Sequence, residues 1–218
     1  MERMAAQRGD SKSEVRRQKG LSQIASRRQS ILDTSERIFL EQGLERTTMA
    51  DIARGEGITA VTLYRYFPSR DPIAFEIAAR KMHEIAASIG VVGDAASPAT
   101  IRQIAIGLID HFEDVRDAYR YMGMFDHLYG DRYPDEKLAA WYKNVVLSLE
   151  WGGLSFQVGS LSPDLRQRVM VMMNSIVCYL QKMAARGELL SGEQGIPLEK
   201  QLSLFKDMIA VALDRLEQ

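Results

Sequence analysis

The sequence predicts an all-α protein with an N-terminal helix-turn-helix unit ahead of a larger helical body, and three observations carry that expectation. Apolar residues recur with helical periodicity along nearly the whole chain, while strand-like alternation is almost absent. Two short segments open on hydroxyls suited to cap a helix, Thr48 and Thr59, and are joined through Gly55 and Gly57. A chain of 218 residues with 46% apolar content can bury a sizeable core. The expected organisation is a basic, flexible arm over 1–27, the helix-turn-helix unit over 28–75 and the helical body over 76–218.

A first helix beginning between Leu21 and Arg28 carries Ile24, Ile31, Leu32, Ser35, Ile38 and Phe39 on one stripe and ends at Gly43. Thr48 caps the second helix, with Asp51 three residues on as its reciprocal partner; Gly55 and Gly57 stop it. Thr59 caps a third short helix ending before Pro68. A fourth, over 69–89, lines up Ile73, Ala74, Ile77, Ala78, Met82, Ile85 and Ile89, and VVGDAASP breaks it. Helices follow over 99–130, 135–158, 163–186 and 198–216.

Charge is unevenly placed. The chain is at −1 overall, but residues 1–30 hold eight basic groups against three acidic ones, which leaves the remainder at −6. Such an arm suits a nucleic acid or another acidic surface, and a merely solubilising tail has the same composition. The longest apolar stretch, Val169 to Leu180, is interrupted by Asn174 and Ser175 and is shorter than the roughly 20 residues a membrane span needs. With no apolar leader at the N-terminus, the expected location is cytoplasmic, with no membrane partner. Cys178, the single cysteine, excludes an internal disulfide and is expected as a buried thiol.

The stretch TAVTLYRYFP, 59–68, places two tyrosines around an arginine. With Thr59 as cap, Val61, Leu63 and Phe67 are available for inward contacts, while Ala60, Thr62, Tyr64, Arg65 and Tyr66 point outward or sideways. The outward set suits duplex DNA: a small residue lets the helix enter a groove, a threonine meets a base edge or thymine methyl, and tyrosine hydroxyls and arginine reach phosphate. Tyrosines packed against neighbouring helices, with only their hydroxyls wet, fit the same pattern.

From Ile31 to Ile73 the chain resembles the DNA-binding domain of the TetR family of bacterial transcriptional regulators. The resemblance rests on Ile31, Leu32 and Phe39 before Gly43, on TTMADIA from Thr47 to Ala53, on the Gly57-Ile58-Thr59 turn, and on LYRYFPSR from Leu63 to Arg70. It departs at Val61, where the family often has Gly or Pro, at Gly55 within the second helix, and at Pro72, a position often occupied by Glu. The resemblance implies a TetR-like fold whose recognition helix spans 59–67, with Thr59, Ala60 and Thr62 towards base edges and Tyr64 near the major groove. It implies backbone contacts from Thr48, Arg65, Tyr66 and Arg70, and a homodimer on a palindromic operator. From the arm, Arg16, Arg17, Lys19, Arg27 and Arg28 are expected to add phosphate or minor-groove contacts.

In the last helix Leu198, Leu202, Phe205, Ile209, Ala212 and Leu216 form a stripe that demands burial, and Leu204, Met208 and Val211 form a second apolar set. Family architecture pairs the last two helices across a two-fold axis, which assigns Met172, Ile176, Leu180, Leu204, Met208 and Val211 to the dimer interface. The middle of the chain is rich in aromatic and methionine side chains that fill cores and line apolar pockets alike. His111, Phe112, Tyr121, Met122, Phe125, Trp141, Tyr142, Trp151, Met173 and Asn174 are the candidates for holding a small hydrophobic or amphipathic effector.

An enzyme finds little support. No histidine has a glutamate three residues before it, as a carboxylate-bridged di-metal bundle requires, and no P-loop, dinucleotide fingerprint or nucleophile elbow is present. No cofactor or metal is expected. The expectation is a ligand-released homodimeric repressor; the alternative within the same architecture is a DNA-binding architectural or protein-responsive factor without a small ligand, and a helical enzyme is the remote one.

Overall fold

Thr48 and Gly57 bracket the helix around which the N-terminal part is organised. The computed structural model describes residues 2–90, 100–130, 134–141, 161–186 and 195–216, with side chains from residue 18 onward. The chain divides into two compact units, Met1–Ile73 and Ala74–Gln218. Among the described residues every regular element is helical, as the periodicity predicts, and no helix among them is long and apolar enough to cross a membrane.

The first unit, the head, contains α1 (Glu2–Gln42), α2 (Met49–Glu56), α3 (Ala60–Tyr64) and the start of α4 (Arg70–Ser88). Ile31, Leu32, Ile38 and Phe39 from α1 bury their side chains, as do Leu44, Ile52, Ala53, Leu63, Phe67 and Ile73. Both predicted stops on glycine are present: Gly43 and Gly57 have φ of 93° and 69°, in the left-handed region where a side chain is strained. Thr48 and Asp51 form the expected capping box.

Three expectations for the head need correction. α1 begins far ahead of the predicted start at 21–28, because Ala, Arg, Gln and Lys favour a helix by intrinsic propensity without any apolar stripe to reveal it. Ile24, placed on the buried stripe, is 54% exposed, on a part of α1 where every residue from 21 to 27 is exposed. Gly55 does not stop or interrupt α2 but lies inside it. A Cβ there would stand 2.7 Å from Ile38 Cδ1 and 3.2 Å from Thr34 Cγ2, so this glycine lets α2 lie close against α1.

The second unit, the body, holds most of α4, then α5 (Ile101–Asp110), α6 (Arg116–Tyr129), α7 (Pro163–Arg186) and α8 (Leu198–Leu216). Thr100 and Gln103 close a second capping box at the start of α5. The single helix expected over 99–130 is instead two, separated by a 3-10 turn at Glu113–Val115. Phe112 is fully buried at the break, its ring 5.6 Å from Tyr119; Glu113, Asp114 and Asp117 supply negative charge where the new helix starts. α7 and α8 have the predicted bounds. Of the helix expected over 135–158, residues 136–141 are helical and the rest lies outside the described residues, as does most of the break after α4.

Phe75 of α4 packs edge-on against Phe125 and Tyr129 of α6, with ring centroids 4.9 Å apart in both pairs. Tyr121 donates its buried hydroxyl to the carbonyl of Ala74 at 2.9 Å. Burial pushes the Tyr119 phenol well above its ordinary range. α6 and α7 approach at Gly123, where a Cβ would sit 3.4 Å from that of Gln181, and Gln181 donates to Asp126 at 2.7 Å. α8 stacks Phe205 on Tyr179 of α7 at 4.0 Å and pairs with α5 through Lys206–Asp110 and Arg102–Asp214. Its predicted stripe is only half-buried apart from Ile209, with Leu213 as the other buried residue. Cys178 is exposed, not buried; α7 turns Ile176 and Leu180 inward, and a residue two positions from each lies on the far side.

Replacing Gly55 with Val is expected to lower the head's stability by about 2 kcal/mol through overpacking of α2 on α1, measured by denaturant unfolding. Unchanged unfolding would mean that the two helices separate freely.

Candidate nucleic-acid interface

The surface around α3 is built outward from two buried side chains, Leu63 and Phe67, which fix the segment in the head. Thr59 accepts a hydrogen bond from the Thr62 amide at 3.2 Å, and the two threonine hydroxyls lie 2.9 Å apart. The helical turns stop after Tyr64, and Tyr66 and Phe67 close the end by donating to the Leu63 carbonyl. The recognition helix expected over 59–67 is therefore a five-residue helix with a tight turn at its end.

Thr59, Ala60, Tyr64 and Arg65 are exposed, and Thr62 and Tyr66 are half-buried. Tyr64 does not fill a core position. Val61 corrects the inward assignment: it is 75% exposed. It stands two residues before Leu63, about 200° around the helix, so the same periodicity that buries Leu63 turns Val61 outward. It adds an apolar tip beside Ala60, of the kind that meets a thymine methyl. Thr48 is exposed at the start of α2, its hydroxyl donating to Asp51 Oδ2 at 2.5 Å. Hydrogen bonds from the Thr48 side chain and backbone, with Arg54 nearby, hold the Asp51 carboxyl below its ordinary range.

The cations expected on the backbone have further duties. Arg70 Nη1 donates to the carbonyls of Leu44, Glu45 and Thr47 at 3.0, 2.8 and 3.3 Å, clasping the α1–α2 connection. Arg28 sets its guanidinium 4.3 Å over the Phe67 ring. Arg27 donates to Glu56 Oε1 at 3.1 Å and stays half-exposed.

Glu56 is the residue that pattern-reading missed. Its side chain is only 4% exposed, and besides Arg27 it accepts from Ser30 and Thr34 at 2.6 Å each. Burial alone would raise its pKa, but the two hydroxyls and the guanidinium outweigh burial and leave it below the ordinary value. Ser30 and Thr34, four apart on α1 and leading towards Ile38, gave a polar line that could have flagged a buried partner.

In the body, Phe112, Tyr121, Met122 and Phe125 are buried, Met173 is half-buried, and His111, Trp141 and Asn174 are exposed. Tyr142 and Trp151 lie outside the described residues. Among the described residues the expected effector set is thus divided between buried and exposed positions. A cleft of about 230 Å³ opens among α5, α7 and α8, lined by Ile101, Arg102, Leu165, Val169 and Leu213 among others. At the expected dimer face, Leu204, Met208 and Val211 are exposed, but Met172, Ile176 and Leu180 are not: they bury inside their own subunit, because α7 turns that side towards the body. The apolar residues that α7 leaves exposed are Met170 and Val171.

Residues 31–77 match the profile of the bacterial regulatory proteins of the tetR family. This segment is a TetR-family domain. The HTH-type transcriptional repressor KstR2 of Mycobacterium tuberculosis H37Rv is 40% identical over 55 residues, 25% of this chain and 28% of that protein. The match thus spans little more than a quarter of the relative's length. The solved structure of the M. tuberculosis ketosteroid regulator KstR2 superposes with a TM-score of 0.53 at 19% identity, covering 86% of this chain and 93% of that one. A TetR-family regulator from Marinobacter aquaeolei superposes with a TM-score of 0.54 at 17% identity, over 88% and 97%. Both likenesses extend through the body and establish its TetR-like fold.

The lowered Glu56 pKa fixes a pH dependence. The unfolded chain binds more protons at this site, so the stabilisation is present above the ordinary value of 4.5 and is lost as pH falls through the lower folded value. Glu56→Gln is expected to cost about 2 kcal/mol at neutral pH and to flatten this part of the acid limb, measured by unfolding between pH 7 and 3. An unaltered acid limb would show that the carboxylate does not hold α1 to α2.

Proposed function

We propose that the chain is a homodimeric transcriptional repressor that binds a palindromic operator through α3 and is released by a small hydrophobic or amphipathic effector. The observation that carries this reading is the exposed face of α3: Thr59, Ala60, Val61, Tyr64 and Arg65 stand out from a helix end anchored by Leu63 and Phe67. A helix of this size supplies a half-site's worth of contacts, and a two-fold dimer doubles them on a palindrome. The exposed Leu204, Met208 and Val211 of α8, with Val171 of α7, supply an apolar surface for pairing. The effector acts by population shift, favouring a dimer in which the two α3 helices no longer match the half-site spacing, with α4 as the coupling element. A 55-residue relationship to KstR2 is too short to transfer a ketosteroid.

A second reading, regulation without a small ligand, is favoured by one observation: Phe75, Phe125 and Tyr129 pack against one another where an apolar pocket could have been. Release of the operator complex by an added apolar compound would exclude it.

Selection of bound duplexes from a random pool tests the main reading, and an enriched palindrome is the expected result; a pool without one would overturn it. On the enriched operator, Tyr66→Phe should weaken every duplex by a similar factor, whereas Thr62→Ala should change the ranking of operator variants. An unchanged ranking removes Thr62 from base reading. Met208→Glu puts a buried like charge on both sides of a two-fold surface, so sedimentation should show half the mass and operator affinity should fall; an intact dimer would place the pairing surface elsewhere.

A further inference from the structure

Where α1 ends and α2 begins, the backbone carbonyls lose their helical donors and have to be met in some other way. Two of them are met locally: Arg46 Nε donates to the Gln42 carbonyl at 2.7 Å, and the Thr47 hydroxyl donates to that of Gly43 at 2.8 Å. The carbonyls of Leu44, Glu45 and Thr47 turn instead to one atom, Arg70 Nη1, at 3.0, 2.8 and 3.3 Å, across 23 to 26 residues of chain. Nη1 carries two hydrogens, so at least one is shared between acceptors. Leu44 and Thr47 are themselves buried, and an acceptor abandoned in such a place is costly to leave unmade.

The rest of the guanidinium is committed to the same posture. Arg70 Nε is buried and has no hydrogen-bond partner; among the described residues it is the one side-chain nitrogen or oxygen in that condition. The head has drawn the group in far enough to leave that donor unmade, which a cation free to choose its own partners would avoid. Nη2 lies 4.0 Å from Asp71 Oδ1, and the side chain as a whole is 25% exposed. To reach a phosphate, Nη1 would have to release three carbonyls.

We infer that Arg70 is a positioning residue of the operator-binding head and not one of its phosphate contacts: it sets the first turn of α2 by holding the carbonyls that lead into it. This rests on the reading of the chain as a DNA-binding regulator. Thr48, which the family resemblance puts on the DNA backbone, follows the clasped Thr47 directly and is exposed. Its amide and its hydroxyl both donate to Asp51, so Thr48 moves with α2 as a unit and lies wherever the connection delivers it. Arg70 acts on DNA through that delivery, from behind the surface.

The test uses Arg70→Gln and Arg70→Lys in the full chain. A lysine brings three donors on one nitrogen to the three carbonyls, whereas a glutamine amide has two, without charge and on a shorter stem. On an operator found by selection, under conditions where circular dichroism shows every chain folded, Arg70→Gln should lower affinity about tenfold. The slope of log affinity against log salt should stay as it was, and Arg70→Lys should recover most of the loss. A slope reduced by about one unit for each half-site would show that Arg70 neutralises a phosphate and would overturn the proposal, as would an unchanged affinity. The unaltered chain gives a second measurement that needs no stable variant. Its Arg70 Nε proton, assigned from the Arg70 backbone signals, should exchange slowly with water in the absence of DNA and keep its NMR shift when operator is added. Fast exchange in the free chain, or a large shift on binding, would overturn the clasp. If no duplex is enriched, the DNA-binding reading falls and the positioning role falls with it, while slow exchange at Nε would still show the clasp itself.

Discussion

A single buried carboxylate at the seam between α1 and α2 holds the head in its shape. Glu56 gathers Ser30, Thr34 and Arg27 around it, and next to it Gly55 removes the side chain that would keep the helices apart. These two consecutive residues work in opposite ways, one by supplying an acceptor and the other by supplying nothing. A buried charge left without donors would be strongly unfavourable, so the three donors fix how α1 lies on α2. Because α2 leads through Gly57 into Thr59, the placement of α3 follows from that seam.

Much of the head was legible because its signals are local. A hydroxyl before a helix and a glycine after one act within a few residues, and Thr48, Thr59, Gly43 and Gly57 all occupy the roles that their chemistry suggests. The same holds for the bounds of α7 and α8, each preceded by proline or a short polar turn. What failed was whatever depends on a second element. Gly55 reads as a helix breaker until Ile38 is placed against it. Arg70 reads as a surface cation until the carbonyls of Leu44, Glu45 and Thr47 surround its Nη1.

The body shows the same division. Periodicity establishes that α7 has an apolar side, but not whether that side meets its own chain or another. Met172, Ile176 and Leu180 bury within this chain, and the apolar residues that α7 leaves exposed are Met170 and Val171. Tyr121 could not be told from a ligand contact by sequence, because both roles call for an aromatic ring with a polar tip; the Ala74 carbonyl at its hydroxyl decides its part in the fold. The start of α1 escapes a reading by periodicity for another reason: apolar stripes mark helices that pack, and every residue of α1 from 21 to 27 is exposed.

The brevity of α3 has a consequence for heredity. Five residues cannot sustain a helix in water by themselves, since nucleation is unfavourable and each added residue returns little, so the shape of the recognition segment is borrowed from α1 and α2. A lesion at Ser30, Thr34 or Glu56, none of which lies on the exposed face of α3, removes that face as surely as a lesion within it. Under the proposed reading, alleles that abolish recognition would then fall in both α1 and α2 on a genetic map, and their distance from the outward surface would conceal a shared cause.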